Sequence, residues 1–311
     1  MMRATIRLTL KQHRLVVTLF VAGMLLSALA SFLATWLIGW IYTQPDVIAC
    51  ASGQVLTEAC ERTWTILMAV ISVGQVGGIA PAWIALAAGL LLGVPLVGDE
   101  IEKGTAVLAW TLAPTRRGWL LRRVVVLGFV LLACSLLTAV SSDTILQATN
   151  AQAPIGRTFI DVPGHGWMIP FWAMAAFAAG TLAGALLGRL LPALIAGGAF
   201  AGILILGTLA WGTAELYNSP TVEIAAADTG AHVSDWRYIE PATGRMLSNQ
   251  DLYDTYGDAG WELSQDWQQV QYGVPGELAP LFVARELCVL TVGITILLGA
   301  GFVVVERRRP Y

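Results

Sequence analysis

Six long apolar runs dominate this chain of 311 residues. A hydrocarbon layer about 30 Å thick is crossed by roughly 20 apolar residues of helix, and each run reaches that length. With 56% hydrophobic and 13% charged residues, the composition is incompatible with a single water-soluble core. We therefore predict an all-α integral membrane protein with six transmembrane helices, at 15–41, 64–97, 119–147, 167–188, 191–212 and 280–305.

The positions of the cations predict the orientation of these helices. Short cytoplasmic loops collect Lys and Arg, whereas translocated loops do not. With the N-terminus inside, 13 of the 18 cations lie in cytoplasmic segments, and the opposite orientation would place those 13 outside. Both termini are therefore predicted to be cytoplasmic. The inner cations are Arg3, Arg7, Lys11, Arg14, Lys103, Arg116, Arg117, Arg122, Arg123, Arg189, Arg307, Arg308 and Arg309.

The polar segments divide the chain into parts with different expected roles. Segment 1–14 is predicted to be a basic amphipathic helix, because its four cations recur at helical spacing and attract anionic lipid by about 1 kcal/mol each. That helix either only anchors the chain or also contacts a partner. The predicted parts are the helix 1–14, the helices of 15–212 with an inner loop at 98–118, an outer loop or cap at 213–279, and the last helix with its basic tail at 280–311.

The two larger outer segments have distinct compositions. Segment 213–279 carries 11 of the 21 carboxylates and many Trp and Tyr residues, which indicates a small folded cap. A solvated acidic loop without a ligand is the alternative. The first outer loop contains Cys50 and Cys60, and an extracytoplasmic compartment permits a disulfide between them. Their spacing alone does not decide whether this bond forms.

Several functional classes lack the residues they need. A P-loop requires Lys directly after Gly, and neither Lys11 nor Lys103 follows a Gly, so the chain has no such nucleotide site of its own. The three His residues are too widely separated for a zincin-type metal site. Asp143 is the one ionisable residue that we expect inside an apolar run. We therefore predict no catalytic residue, cofactor or metal in this chain, and the net charge of −3 gives no indication of a nucleic-acid partner.

The inner loop 98–118 has an unusual order of polar and apolar residues. The acids after Gly98 favour the first turn of a helix, and the apolar run 105–113 is too short to cross a bilayer. Pro114 ends this run, and Thr115 is placed to cap the next helix. The loop is thus expected to form a short helix whose apolar side chains are covered by headgroups, by the chain's own helices or by a partner. Those side chains are Val107, Leu108, Trp110 and Leu112.

This loop resembles the inner loop of type-2 ATP-binding-cassette exporter permeases. The resemblance rests on Glu102-Lys103-Gly104-Thr105, then Trp110-Thr111, Arg116 or Arg117, and Trp119, between the second and third spans. It implies that the loop is a coupling helix seated in a cleft of a separate ATPase subunit, which binds ATP and Mg. The residues to which it assigns coupling are Glu102, Gly104, Thr105, Trp110 and Arg116.

The resemblance also implies roles and partners. Glu102 and Arg116 would make charged contacts with the ATPase, Gly104 would allow a close turn, and Trp110 would anchor the apolar face. A second permease copy or a related chain would complete a path in a bacterial cell membrane. The path would carry an unidentified hydrophobic or amphiphilic substrate outward. The alternative is a non-transporting membrane sensor or assembly factor whose outer segment 213–279 binds a ligand or partner.

A stripe of small residues in the fourth span predicts close helix packing. Gly180, Gly184 and Gly188 recur every four residues and leave one face of the helix without side chains. Such a face lets another backbone approach, either within the chain or across a dimer.

Overall fold

The computed structural model describes residues 14–45, 47, 58–112, 115–149, 156–159, 166–225, 228, 230–257, 259–264 and 266–308. These residues are 78% helical. Among them, six helices are long and apolar enough to cross a membrane, which agrees with the predicted number of spans. The predicted helix 1–14 (apart from Arg14), Cys50 and the side chain of Cys60 lie outside the described residues, as does the possible disulfide between the two cysteines. The candidate spans are Arg14–Tyr42, Ala80–Glu102, Arg116–Ala148, Met168–Leu187, Leu190–Tyr217 and Gly276–Arg307.

The chain forms two compact units, and the first contains most of the helices. It comprises Met1–Asn150, Pro163–Leu209 and Glu286–Tyr311. Its helices are α1 (Arg14–Tyr42), α2 (Glu58–Gly93), α3 (Gly98–Glu102), α4 (Ala106–Leu112), α5 (Arg116–Thr149) and α6 (Met168–Leu187), together with parts of α7 (Leu190–Tyr217) and of the last long helix, Ala279–Arg307.

Helix α6 is the buried centre of this unit. Its sequence is rich in Ala and Gly, and nearly all of its length is buried, whereas most of α1 and α7 is not. Small side chains allow helix backbones to come close together. A Cβ at Gly89 or Gly93 of α2 would collide with the carbonyl oxygens of Ala173 and Phe177, so α2 and α6 pack backbone to backbone.

A short 3-10 turn with a proline follows α2. The helix continues through Pro81 to Gly93, and residues 94–96 form a 3-10 turn with Pro95 in its first positions. Proline suits such a position because its missing N–H has no partner there in any case. Helix α3 begins directly after this turn, at Gly98.

The second unit, Ala151–Val162 with Ala210–Arg285, corrects the all-α prediction. It contains a four-stranded antiparallel sheet in the order β1-β4-β2-β3. β2 is rich in β-branched and aromatic residues, which favour strands, but its length is far below that of an apolar span. A search for apolar runs as long as a membrane span therefore does not detect this strand. The elements are β1 (Val222–Ile224), β2 (His232–Ile239), β3 (Met246–Ser248), α8 (Asn249–Tyr256), α9 (Ala259–Ser264) and β4 (Gln268–Val274), followed by α10 (Ala279–Arg307).

The sheet has its own small core and a link to the earlier segment. Tyr238, Leu247 and Leu252 form a buried apolar cluster. The Phe159 N–H donates to the Gly230 carbonyl at 2.9 Å, so part of the connection between α5 and α6 belongs to this unit. Segment 213–279 is therefore a folded part of the protein, although its sequence alone left a solvated loop open.

We expect acid to weaken this unit through Glu240. Hydrogen bonds from the hydroxyls of Thr243 and Tyr256 hold the pKa of Glu240 below its usual value. Such a group contributes stability above the unfolded pKa of about 4.3, and this contribution is lost as pH falls through the lower folded pKa. Tyr256→Phe should therefore raise amide exchange in β2 and β4 at pH 7, with little difference from wild type at pH 3.

Hydrogen exchange of the full chain in detergent tests this expectation. The variant-to-wild-type ratio at each pH cancels the intrinsic exchange rate. Tyr253→Phe is the matched control, because Tyr253 is 64% exposed on the same helix. An equal difference at pH 7 and pH 3 would contradict the role of the Glu240 carboxylate.

Candidate functional site

The described residues of segment 98–118 form two short helices, α3 and α4, joined by a tight turn, and then the start of α5. Asp99 and Glu100 lie in the first turn of α3, where the helix dipole favours negative charge. Gly104 lies in the turn between α3 and α4 with φ +70, a backbone conformation that residues other than glycine rarely adopt. The predicted cap at Thr115 is confirmed, since its Oγ1 accepts a hydrogen bond from the Gly118 N–H at 3.0 Å.

A buried ion pair fixes α3 to α5. The Arg123 Nη2 lies 2.6 Å from Glu100 Oε1, and both side chains are less than a tenth exposed. The same guanidinium reaches the Leu96 carbonyl at 3.4 Å. Opposite charges taken out of water require such mutual partners, because either one alone would lose its solvation without compensation. The pair therefore connects the start of segment 98–118 with the helix that follows it.

Two tryptophans and two arginines extend this connection to α4. The Arg123 guanidinium lies over the Trp119 ring at 4.3 Å, and the Arg116 guanidinium lies over the Trp110 ring at 4.9 Å. The two rings meet edge to face, with centroids 6.4 Å apart. We call Arg116, Trp110, Trp119 and Arg123 the Arg-Trp stack. Cations above aromatic faces and edge-to-face rings are both favourable geometries, so the stack holds α4 against the first turns of α5.

The two predicted charged residues have partners within the chain. Glu102 Oε2 accepts a hydrogen bond from the Leu190 N–H at 2.8 Å, at the start of α7. Arg116 Nη1 donates to the carbonyl oxygens of Glu306 and Arg308 at the end of α10. Arg117 forms an ion pair with the Glu306 carboxylate. Segment 98–118, whose last residues begin α5, thus also contacts α7 and α10.

One side of the segment is open to the surroundings of the chain. Thr105 is exposed, although its Oγ1 reaches the Glu100 carbonyl at 3.3 Å, and Leu108 is 63% exposed. Lys103 is also exposed, and its hydrogen bond with Asp99 raises the pKa of the Lys103 ammonium. Trp110 lies on the other side, where it is buried, and its indole N–H has no hydrogen-bond partner among the described residues.

The glycine stripe of α6 faces the chain's own helices. A Cβ at Gly180 would lie 3.1 Å from Val94, and one at Gly184 would press on the Val94 carbonyl oxygen. Gly188 ends α6 in the left-handed conformation, with φ +62. The stripe therefore lies against the 3-10 turn, α3 and the region around Arg308.

Three residues of this region have partners that the sequence does not predict. The sequence indicates a helix-dipole role for Glu100 and a topology-setting role for Arg123 and Arg308, but nothing in it signals their partners. A fourth residue lies elsewhere, since Glu286, near the start of α10, is 7% exposed. This corrects the expectation that Asp143 is the one ionisable residue inside an apolar run, and the sequence signal, a Glu inside span 280–305, was present.

Comparison with known proteins identifies a relationship over the larger part of the chain. A family model described as ABC-2 membrane transporter related matches residues 20–211. The match includes all of segment 98–118 and α6, together with most of α1 and α7. No curated protein and no solved structure matches the chain.

Proposed function

Because the chain belongs to the ABC-2 membrane transporter related family, we propose that it is the permease subunit of an ATP-driven exporter. Separate ATPase subunits bind ATP and Mg and carry out hydrolysis. The permease moves a hydrophobic or amphiphilic substrate outward across the cell membrane. In this proposal both termini and segment 98–118 lie on the cytoplasmic side, which the distribution of the cations supports.

The connections of segment 98–118 support this proposal. A displacement of α4 by an ATPase subunit would reach α5 through the Arg-Trp stack and the Glu100–Arg123 pair. These contacts are buried or aromatic, so they resist separation better than exposed ion pairs do. A rigid displacement at the surface is thereby converted into movement of the membrane helices.

The open side of the segment is the proposed docking face for the ATPase. It presents Lys103, Thr105, Leu108 and Thr111, whereas Trp110 is turned toward the chain's own helices. The resemblance to exporter permeases assigns this segment to the ATPase contact, and Leu108 is an apolar side chain that an ATPase seated there would remove from water. The sequence-based prediction that Glu102 and Arg116 make charged contacts with the ATPase is untested, and in the single chain Glu102 accepts from the Leu190 N–H and Arg116 donates to carbonyls at the end of α10.

The exposed apolar surfaces of α1, α7 and α10 are the proposed contacts with lipid and with a second permease chain. Most of each helix is uncovered in the single chain. Lipid covers part of this surface, and a second permease copy or a related chain covers the rest and completes the transport path. Apolar faces of this length require lipid or protein on every side.

Purification of the full-length tagged chain in mild detergent tests the function. A subunit with a P-loop should co-purify, and the complex should hydrolyse ATP. Purification of the chain without any nucleotide hydrolase would favour the alternative of a membrane sensor or assembly factor.

Leu108→Asp should abolish docking while leaving the fold intact. The side chain is 63% exposed, so the substitution places a carboxylate in the proposed interface without disturbing a core. We expect the yield of co-purified ATPase to fall about tenfold or more, as for loss of an interface hot spot. Leu263→Asp is the matched control, because Leu263 is a half-exposed leucine of the second unit. Unchanged co-purification of the Leu108 variant would exclude this docking face.

A further inference from the structure

The turn between α6 and α7 is held by side chains from two distant parts of the chain. Gly188 and Arg189 separate the two helices, and Gly188 closes α6 with a hydrogen bond from its N–H to the Gly184 carbonyl. Helix ends leave backbone groups without partners inside the helix, carbonyls at one end and N–H groups at the other. Carbonyls without a partner in α6 and N–H groups without a partner in α7 therefore lie within six residues of one another, at 185–190.

A carboxylate binds the N–H group at the start of α7, and a guanidinium binds the carbonyls at the end of α6. The Glu102 carboxylate accepts from the Leu190 N–H at 2.8 Å, at the first residue of α7. The Arg308 guanidinium donates to the carbonyl of Ala185 and reaches that of Leu186 at 3.4 Å, at the end of α6. An anion at a helix N-terminus and a cation at a C-terminus both interact favourably with the helix dipole.

Gly188 makes this arrangement possible. A Cβ at this position would lie 2.7 Å from Ile101 Cγ2 and 2.8 Å from Arg308 Nη2. Side chains of α3 and of the end of α10 therefore pack directly on the turn, and Gly188 has φ +62, which residues with a Cβ rarely adopt.

Helix α3 has a second attachment on a neighbouring residue of the same short helix. Glu100 is buried against Arg123 of α5, while Glu102 binds the start of α7. The five-residue helix α3 thus bridges α5 and α7, and it is followed directly by the turn and helix of the proposed docking face.

We infer that Glu102 is a positioning residue that passes the movement of segment 98–118 to α7, rather than a residue that binds the ATPase. Arg308 and Gly188 hold the end of α6 in place, so that movement of Glu102 changes the angle between α6 and α7. This inference rests on the proposed function, because the movement comes from the ATPase.

A distance measurement across the far ends of α6 and α7 tests the inference without a known substrate. Spin labels are attached through an unnatural amino acid at Trp167 and Leu206, so the native cysteines stay unmodified. Both positions are more than 60% exposed and far from Gly188, because Trp167 directly precedes α6 and Leu206 lies beyond the middle of α7. A change of angle at the turn therefore gives a large change of the distance between them. The complex with its ATPase is compared without nucleotide and with ATP, Mg and orthovanadate.

The expected results separate the possible roles of Glu102. In the wild type, nucleotide should shift the distance distribution. Glu102→Ala should keep the co-purified ATPase but lose the shift, whereas Glu102→Gln, which retains an acceptor oxygen, should keep most of it. Asp99→Ala removes an exposed carboxylate from the same helix and should behave as the wild type.

Three outcomes would overturn the inference. The first is a wild-type complex with its ATPase but no shift, and the second is a full shift in Glu102→Ala. The third is loss of the ATPase from Glu102→Ala, which would make Glu102 a docking residue. Absence of any ATPase from the wild-type preparation would instead contradict the proposed function.

Discussion

Arg123→Met should lower the free energy of unfolding by about 3–5 kcal/mol, because it leaves the Glu100 carboxylate buried without its counter-ion. Methionine approximates the length of arginine, so the loss comes from charge rather than from a cavity. The same substitution removes the cation above Trp119, which loosens the Arg-Trp stack. Titration of the purified chain with SDS in mixed micelles measures the unfolding free energy.

A double variant distinguishes the destabilisation caused by one buried charge that has lost its counter-ion from the stabilisation contributed by the ion pair itself. Glu100→Leu combined with Arg123→Met replaces both charges by apolar side chains and should recover most of the lost stability. Lys103→Met is the control, because it breaks the exposed Asp99–Lys103 pair and should leave unfolding unchanged. If the double variant were as unstable as Arg123→Met, the lost stability would have another origin.

If the double variant recovers its stability, it also tests whether the Glu100–Arg123 pair contributes to coupling. If the ion pair serves only stability, ATPase docking and coupling should return together with the fold. If coupling stays impaired in a stable protein, the pair contributes to the transmission of movement from α3 to α5.

Gly184→Ala should destabilise the helix bundle by about 1–3 kcal/mol, although it adds only one methyl group. An ideal Cβ at Gly184 would lie 2.5 Å from the Val94 carbonyl oxygen and 3.3 Å from the Gly98 nitrogen. Both neighbours are backbone atoms, so no side-chain rotation can make room. The substitution must push α6 away from the turn that leads into α3.

Gly207→Ala provides the matched comparison. Gly207 lies in α7, and nothing is found within 4 Å of a Cβ placed there. The added methyl group should therefore leave stability unchanged or raise it by up to about 1 kcal/mol through helix propensity. Both variants are compared by the same titration with SDS. Equal effects at the two positions would show that the close approach at Gly184 has no energetic importance.

The position of segment 98–118 could be predicted because its evidence is local. Its acids, its short apolar run and its Pro-Thr stop all lie within about twenty consecutive residues, and the helix start at Thr115 follows from one side chain. The partners of the same segment could not be predicted. Glu100 binds a residue 23 positions away, and Glu102 binds one 88 positions away.

The second unit marks a different limit of sequence reasoning. Hydropathy separates long apolar helices from everything else, and it leaves the order β1-β4-β2-β3 undefined because strand pairing depends on contacts between distant segments. Phe159 is an example, because its N–H binds the Gly230 carbonyl although α6 and α7 lie between the two residues in the sequence.

Hydropathy and cation spacing by themselves determined that this chain has six membrane helices and one short polar segment between the second and the third. Each of these features depends only on a continuous stretch of sequence about as long as one membrane span, so the contacts between helices need not be known. Only the tertiary structure decided which face of each helix meets which partner: Glu100 with Arg123, Glu102 with the start of α7, and the glycines of α6 with the backbone at Val94. Those pairings depend on the rotation and depth of helices relative to one another, which apolar runs of similar composition leave unspecified.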